Sequence, residues 1–285
     1  MYSRCTLCTK ISIYMTYFAG KPESSTYREV RGLSRGLAVL RALNALPGGI
    51  GGVVELARLT GLHRTTVKRL LETLKVEGLV HQEDDGALYV LSFEVRRLSE
   101  GYVGADWIDR VASPAMRAHL HAMSWPSDLA TPSDNFMIVR ESTHRVSLLS
   151  QHRAMIGTRI AMLTSALGRA WLTWAEKDER NATLALLRQR QDAIGAIARD
   201  KTFVQRLLRE TKRRGYAINR GELVHEESVI AIACPILIDQ HAVGAINLVL
   251  QKNAVSEREM ITRYVPLLQV LAAEISEGAS QLPRG

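Results

Sequence analysis

Apolar positions over residues 53–77 recur with the period of two short helices separated by a tight turn. The apolar positions of the first helix are Val53, Leu56 and Ala57. Those of the second helix follow the i, i+3, i+4, i+7 spacing of a buried face and are Val67, Leu70, Leu71 and Leu74. Between the helices, Gly61 suits a left-handed turn because glycine has no Cβ to clash there. The pattern predicts two helices that pack on a common core.

The polar face of the second helix is cationic near its N-terminus, where Arg64, Thr65, Lys68 and Arg69 lie together. The small side chain of Ala57 lets the two helices cross closely at a steep angle. This layout predicts a helix-turn-helix motif whose residues 63–76 enter the major groove of DNA. The alternative is the solvated face of an ordinary helical domain.

The residues that follow predict a β-hairpin. Leu79-Val80 and residues 88–91 have the composition of strands, and Asp85-Gly86 is a dipeptide typical of hairpin turns. Helix, turn, helix and hairpin in this order form a winged helix. DNA binding therefore becomes the leading interpretation.

Upstream of this motif the pattern predicts a flexible polar arm over residues 1–29 and a supporting helix. Ser34 is a candidate N-cap for that helix, which runs to about Leu46 and ends at Pro47-Gly48-Gly49. The residues expected on its inner side are Leu33, Leu37, Leu40 and Leu43. Near the junction, Arg28, Arg31 and Arg35 are placed to reach a phosphate or the minor groove, or else belong to a solvated tail.

The charge distribution favours a nucleic-acid partner for this part of the chain. The formal net charge is +8 and the pI is near 9.6. Residues 27–75 carry nine Lys or Arg against three Asp or Glu, whereas residues 76–101 carry two against six. The positive excess thus lies where phosphate neutralisation requires it. The predicted DNA contacts are Arg31, Arg35, His63, Arg64, Thr65, Thr66, Lys68 and Arg69, with His63 fitting either a helix cap or a contact.

Downstream of the hairpin the pattern changes from linker helices to a mixed α/β domain. Helical linker segments are expected over residues 94–98 and 106–123, before Trp125-Pro126 breaks the helix. Predicted strands cover residues 136–139, 146–149, 229–238 and 242–251. Predicted helices cover residues 163–175, 177–190 and 200–214. A capping box, Ser256-x-x-Glu259, opens a last helix, with Met260, Ile261, Tyr264, Leu268, Leu271 and Ile275 on one face.

Several classes of function find no support in the residues. The chain has no P-loop, dinucleotide-binding glycine triplet, HExxH motif or nucleophile elbow, so no enzyme and no catalytic residue are predicted. Cys5 and Cys8 form a C-x-x-C pair without the further ligands of a zinc site, so no metal or cofactor is expected. Three cysteines and the lack of a 20-residue apolar run fit a cytoplasmic protein with no membrane partner. An enzyme tethered by a basic N-terminus is the rival hypothesis.

From about residue 30 to residue 278 the chain resembles the IclR family of bacterial transcription regulators. The resemblance is carried by VRGLSRGLAVL (30–40), LARLTGLHRTTVKRLLETL (56–74), residues 157–171, SVIAIACPI (228–236) and AVGAINLVL (242–250). Shorter stretches, among them VRESTHR (139–145) and HRAM (152–155), are similar to a member that activates 3-(3-hydroxyphenyl)propionate breakdown.

The resemblance implies an α+β fold: an N-terminal winged helix-turn-helix, a linker helix and a C-terminal GAF-like α/β effector-binding domain. With the pattern above it gives an arm over residues 1–29, a DNA-binding domain over 30–93, linker helices over 94–124 and an effector domain over 125–285. The implied partners are double-stranded operator DNA, a small aromatic acid, a second copy of the chain as homodimer or dimer of dimers, and RNA polymerase if the chain is an activator. Activator and repressor both remain open.

The resemblance also implies an effector pocket on one face of the C-terminal sheet, lined by Leu149, Ala166, Leu167, Glu226, Ala231, Asn247 and Val249. A carboxylate would rest on N–H groups at the start of a helix. The family's acidic stretch is shortened here to residues 225–228, which leaves open the acid that faces the pocket. Asn247 fits a pocket residue or a buried structural amide. Arg140, His152 and Arg153 fit partners of an acidic effector or surface charges.

Overall fold

The computed structural model describes residues 29–83, 86–101, 107–150, 155–221 and 228–282. The chain divides into two compact units, Met1–Val103 and Gly104–Gly285. Several expectations fall outside the described residues: the arm over residues 1–28 with Cys5 and Cys8, the hairpin tip Asp84-Asp85, His152, Arg153 and Glu226. Within the described ranges no helix is both long enough and apolar enough to span a bilayer.

The N-terminal unit is a winged helix, as predicted. Its elements are α1 (Arg31–Ala45), a 3-10 turn (Pro47–Gly49), β1 (Ile50–Gly52), α2 (Val53–Thr60), α3 (Arg64–Val76), β2 (Val80–Gln82), β3 (Leu88–Leu91) and α4 (Glu94–Arg97). β3 pairs with β2 and β1 on its two sides, both antiparallel. The strand β1 was not predicted, because Ile-Gly-Gly has no alternation of polar and apolar residues.

The apolar stripes of α2 and α3 meet in the core of this unit, where Leu56, Val67 and Leu71 are fully buried with Tyr89 of β3. Gly61 ends α2 with a φ of 69°, the left-handed conformation expected from its position. The helix-turn-helix prediction is therefore confirmed in its two helices, its turn and its buried face.

The prediction for α1 was wrong at its start. The helix begins at Arg31 with Val30 as N-cap, so Ser34 lies inside it and caps nothing. Leu33 and Leu37 are 64% and 41% exposed. The buried residues are Val39, Leu40, Ala42 and Leu43. The leucine spacing therefore continues towards the N-terminus beyond the buried part of the helix, which begins at Val39.

The C-terminal unit is built on six antiparallel strands in the order β6-β5-β4-β9-β8-β7. The strands are β4 (Asp128–Ser133), β5 (Phe136–Ser142), β6 (Arg159–Ala161), β7 (Ala217–Asn219), β8 (Val229–Ile238) and β9 (His241–Gln251). Its helices are a π-turn (Ile108–Ala112) continued by α5 (Ser113–Met123), α6 (Ala166–Trp174), α7 (Lys177–Gln189), α8 (Ala193–Arg199), α9 (Lys201–Arg214), α10 (Glu257–Glu259), a π-turn (Met260–Tyr264) and α11 (Val265–Ser280).

Helices cover both faces of the long β8–β9 hairpin. One face carries Ile232, Ile246 and Leu248 into a core shared with α5 and α11. The other face packs on α6. The register opposes Ala231 to Val249 and Ala233 to Asn247. Because side chains alternate along a strand, these four residues share the face covered by α6.

Two further predictions in this unit were wrong. Residues 146–149 do not form a strand, because the amides of Val146 and Ser147 turn back to the carbonyl of Thr143, at 3.1 and 2.9 Å. Ile261, expected on the inner face of the last helix, is 43% exposed. Met260 and Tyr264 define that inner face within the π-turn and are buried, which leaves the intervening Ile261 outside. The predicted cap at Ser256 is confirmed, since its hydroxyl accepts the amide hydrogen of Glu259.

The predicted linker over residues 94–124 divides between the two units. Residues 107–123 pack through Ile108, Ala112, Met116 and Met123 into the core of the C-terminal unit. The exact limits of a linker stay a prediction.

Candidate functional site

The start of α3 is organised by His63, which is its N-cap. His63 Nδ1 accepts the amide hydrogen of Thr65 at 3.4 Å and lies 2.9 Å from the Thr65 hydroxyl. Of the two roles that the sequence left open for His63, the geometry supports the cap. The cap fixes the direction in which the first turn of the helix leaves the preceding loop.

The other predicted DNA-contact residues differ in how far they are exposed to solvent. Arg64, Thr65 and Arg69 of α3 are exposed, whereas Thr66 is half-buried. On α1, Arg31 and Arg35 are exposed. Within the described part of the chain, Arg64 and Arg69 have no acidic partner. Exposed guanidinium groups are suited to donate hydrogen bonds to base edges and phosphates, so the DNA-contact prediction keeps Arg64 and Arg69.

Lys68, by contrast, is held against the hairpin. Its Nζ lies 3.0 Å from Glu72 Oε1, donates to the Tyr89 hydroxyl, and stands 5.0 Å from the centre of the Tyr89 ring. Tyr89 donates in turn to Glu72, and Lys75 Nζ lies 2.7 Å from Glu72 Oε2. Lys68, predicted as a DNA contact, therefore belongs to a network that joins α3 to β3.

The network shifts the ionisation of its members. The hydrogen bonds from Lys75, Tyr89 and Lys68 lower the pKa of Glu72 from 4.5 to about 2. The hydrogen bond with Tyr89 raises the pKa of Lys68, and burial raises the pKa of Tyr89. All three groups thus keep their protonation states across neutral pH, which keeps the link between helix and hairpin intact.

At low pH, protonation of Glu72 is expected to lower the free energy of unfolding of the N-terminal unit. Because the folded-state pKa is depressed, the stabilisation is fully present above pH 4.5 and is lost as the pH falls through about 2. In Glu72→Gln, we expect the urea midpoint of this unit to depend less on pH over that window. Glu77→Gln is the matched control, since Glu77 is an exposed carboxyl at the end of the same helix. Identical pH slopes in all three proteins would contradict the assignment.

The predicted effector residues of the sheet and of α6 come together in the C-terminal unit. Ala231, Asn247 and Val249 lie on the sheet face that α6 covers. Ala166 and Leu167 form the first turn of α6 and are buried, behind the N-cap Ser165, which accepts the amide hydrogen of Gly168 at 3.1 Å. First-turn amides of a helix have no intrahelical acceptor and can bind an anion. Leu149 lies in the loop that follows β5 and is 44% exposed.

Asn247 has a structural partner that the sequence did not reveal. Its Oδ1 accepts the backbone N–H of Asp128 at 2.7 Å, and the residue is buried. This bond fastens β9 to the start of β4. It leaves Nδ2 as the atom of Asn247 that can donate to a ligand, so the two interpretations of this residue are compatible.

A buried polar chain adjoins Asn247 and was missed by the sequence analysis. Asp128 Oδ1 accepts from Ser142 Oγ at 2.7 Å, and Asp128 Oδ2 lies 3.4 Å from His144 Nε2. His144 Nδ1 lies 2.6 Å from Ser150 Oγ. Asp128 and His144 are both 2% exposed. These four residues follow no common helical or strand spacing in the sequence, so only the fold reveals that they are in contact.

Two arginines also depart from expectation. Arg169 of α6 was not singled out, yet it is buried and donates to the carbonyls of Leu163 and Ile218, at 2.9 and 2.6 Å. The one available signal was a charged residue inside the apolar stretch ALGRAWLTW. Arg140, proposed as a partner of an acidic effector, is exposed and donates to Thr131 Oγ1 at 2.9 Å. That position makes it a surface charge.

A cavity of about 430 Å³ lies between β8 and α11 and contains none of the predicted effector residues. Cys234, one of its lining residues, is buried, and burial raises the pKa of its thiol to about 12. Within the described ranges, no group of three His, Cys, Asp or Glu side chains is placed to hold a metal ion.

Two family profiles match this chain. Residues 102–277 match the profile described as bacterial transcriptional regulator IclR C-terminal, and residues 32–84 match the IclR helix-turn-helix domain. The two matches cover the C-terminal unit and the winged helix, respectively.

Similar proteins span nearly the same length. The p-hydroxybenzoate hydroxylase transcriptional activator of Acinetobacter baylyi is 24% identical over 270 residues, which cover 92% of this chain and 96% of that protein. The Pca operon regulatory protein of the same organism is 24% identical over 250 residues, covering 86% and 88%. The structure of an IclR homolog complexed with 4-hydroxybenzoate, from Microbacterium hydrocarbonoxydans, superposes with a TM-score of 0.59 at 21% identity and covers 87% of this chain and 98% of that one.

Proposed function

Because the chain belongs to the IclR family of bacterial transcriptional regulators, we propose that a small aromatic carboxylate switches its control of an aromatic-acid catabolic operon. The chain is a DNA-binding regulator with a winged helix-turn-helix and an effector-binding domain, and it is not an enzyme. The observation that carries the DNA half of the proposal is the exposed pair Arg64 and Arg69 on the outer face of α3.

On the DNA side, Arg64, Thr65 and Arg69 would make the groove and phosphate contacts, with Arg31 and Arg35 of α1 on neighbouring phosphates. Lys68 would act differently, as a positioning residue that sets the hairpin against α3. Two copies of the chain, as a homodimer or a dimer of dimers, would read two half-sites separated by whole turns of DNA.

On the effector side, the carboxylate would rest on the amides of Ala166 and Leu167, with Asn247 Nδ2 as a further donor and Ala231 and Val249 against the ring. The name of one relative and the ligand of one similar structure, p-hydroxybenzoate and 4-hydroxybenzoate, support an aromatic acid. Leu149 and Glu226 complete the proposed set. Binding shifts the protein between arrangements only to the extent that the acid prefers one of them.

The finer proposal is an activator of 3-(3-hydroxyphenyl)propionate breakdown, which would contact RNA polymerase. Its support is the resemblance of short stretches, such as GLHRTTVKRLLETL and VRESTHR, to a family member that activates this pathway. The alternative is a repressor that responds to another small acid. Expression of the controlled operon in a strain lacking this chain separates them: loss of induction indicates an activator, and constitutive expression a repressor.

A thermal-shift screen tests the effector. We expect 4-hydroxybenzoate or 3-(3-hydroxyphenyl)propionate to raise the melting temperature of the full chain, and hexanoate to leave it unchanged. A screen without a hit among aromatic acids would overturn the proposed ligand class.

The role of Asn247 is tested by two substitutions. Asn247→Leu removes the acceptor of the Asp128 amide, so we expect the unfolding free energy to fall by about 1–3 kcal/mol and the ligand shift to weaken. Asn247→Asp keeps the acceptor but replaces the Nδ2 donor by a carboxylate oxygen that repels the ligand. Its baseline stability should also fall, because a carboxylate is costly to bury beside the buried Asp128, so the ligand shift is measured from the variant's own baseline and should be lost. An undiminished shift in Asn247→Asp would exclude Asn247 from the pocket.

A further inference from the structure

The C-terminal unit has a second cavity, of about 690 Å³, between α7 and α9. Its floor is apolar, with Ala175, Leu184 and Val204 all at most 5% exposed. The last turn of α6 and the β8–β9 turn at Gln240 and His241 also line it. The volume is in the range of pockets that hold a ligand of drug or nucleotide size.

The walls of this cavity are cationic. Arg180 and Arg188 line it from α7, and Lys201, Arg209 and Lys212 from α9. No Asp or Glu is present among its lining residues, all of which lie in the described ranges. None of the five cations is in an ion pair with another described residue.

Hydrogen bonds to backbone carbonyls hold two of the guanidinium groups in place. Arg180 donates to the carbonyl of Ala175, and Arg188 donates through Nε to the carbonyl of Ala198, both at 3.3 Å. The Lys212 ammonium stands 4.8 Å from the centre of the Trp174 ring. Backbone and aromatic contacts thus orient these three groups without neutralising them.

At least one other cation of α9, in contrast, is paired with an acid of its own helix. Arg214 of α9 pairs with Glu210 at 3.2 Å, one turn away. Lys212 in the last turn of α9 and Arg188 in the last turn of α7 are also favoured by the dipoles of their helices, but that effect fades within one turn and does not reach Arg180, Lys201 or Arg209. Five like charges around one apolar floor repel each other, and the repulsion falls when an anion of comparable charge enters.

We propose that this cavity binds a small, multiply charged phosphorylated ligand, such as a nucleoside di- or triphosphate. Arginine forks and lysine ammonium groups are the usual partners of phosphate oxygens. The uncharged lining residues Asn181, Gln205 and Gln240 can hydrogen-bond a sugar or a base. The site is separate from the proposed effector pocket: that pocket adjoins the first turn of α6 and this cavity its last, and the end residues Ala166 and Trp174 are about 12 Å apart along the helix.

Calorimetry on the full chain tests this site with ATP, ADP, AMP, pyrophosphate and inorganic phosphate as probes. We expect affinity to rise with the number of phosphate charges. In the double variant Arg209→Gln/Lys212→Gln, the Kd of the tightest probe should rise at least 10-fold. The matched control is Arg206→Gln/Arg213→Gln, which removes the same charge from exposed positions of α9 that do not line the cavity. Its Kd should stay within about twofold of the wild type.

Three other outcomes are possible, and each would contradict the proposed binding site. No heat with any phosphate would exclude the ligand class, and equal weakening in both double variants would indicate long-range attraction without a specific cavity. Loss of duplex DNA retention in Arg209→Gln/Lys212→Gln, with phosphate binding unchanged, would assign the surface to nucleic acid. The aromatic-acid thermal shift in this variant should equal that of the wild type, so failure of this site is distinguishable from failure of the proposed effector pocket.

Discussion

Replacing Arg64 and Arg69 together by alanine is expected to raise the Kd for operator DNA at least about 100-fold. Each guanidinium that contacts a base edge or a phosphate contributes roughly 1–3 kcal/mol, and both copies in a dimer lose the pair. Neither side chain supports the fold, because both are exposed and lack an acidic partner among the described residues. The variant should therefore unfold like the wild type.

The DNA for this experiment is a duplex that the wild-type chain selects from a random pool, and binding is followed by gel retention at several salt concentrations. The control Arg41→Ala/Arg96→Ala removes the same charge from exposed positions of α1 and α4. We expect this control variant to lose only the non-specific, charge-dependent part of its affinity for DNA. Equal losses in the two double variants would mean that α3 is not the recognition helix.

Gly168→Ala is expected to lower the unfolding free energy of the C-terminal unit by about 3 kcal/mol or more. A Cβ on Gly168 would stand 2.1 Å from the backbone oxygen of Met162 and 2.4 Å from its Cα. Because the obstacle is backbone, no side-chain rotation relieves the clash. The start of α6 would have to move away from Met162, which also displaces the Ala166 and Leu167 amides.

Thermal unfolding with and without an aromatic acid measures both effects. A loss of 3 kcal/mol corresponds to a fall in melting temperature of roughly 6–12 °C for a domain of this size, and the ligand shift should disappear with it. Gly36→Ala is the matched control, since the nearest atom to its Cβ would be Leu70 Cδ2 at 3.8 Å. That substitution should leave its unit as stable or up to about 1 kcal/mol more stable. A wild-type melting temperature for Gly168→Ala would show that α6 does not approach Met162 so closely.

Elements whose limits are set by local signals could be predicted from the sequence. The helix-turn-helix followed from the spacing of Leu56, Val67 and Leu71 and from the left-handed Gly61. The β8–β9 hairpin followed from two apolar runs, and it lies in a sheet whose two faces are both covered by helices.

Strands that exist only through their partners could not be predicted. β4, with the sequence DLATPS, has no alternation and contains Pro132, yet it lies between β5 and β9. β6 and β7 are three residues each and are defined by their neighbours. Conversely, the apolar residues 146–149 form turns, because composition does not determine whether a neighbouring strand is available.

The sequence by itself determined where the positive charge lies and which helix carries it, since charge and helical period are both local properties. It also determined the helix-turn-helix with its hairpin and the two long strands of the C-terminal unit. Only the tertiary structure decided which cation of α3 is held within the fold, since Lys68 bonds Tyr89, 21 residues away. It alone decided that Asn247 holds Asp128, 119 residues away, and that five cations of α7 and α9 surround one cavity. The physical reason is common to all three, because hydrogen bonds and electrostatic repulsion depend on distances in space, and these distances are set by the packing of elements remote in sequence.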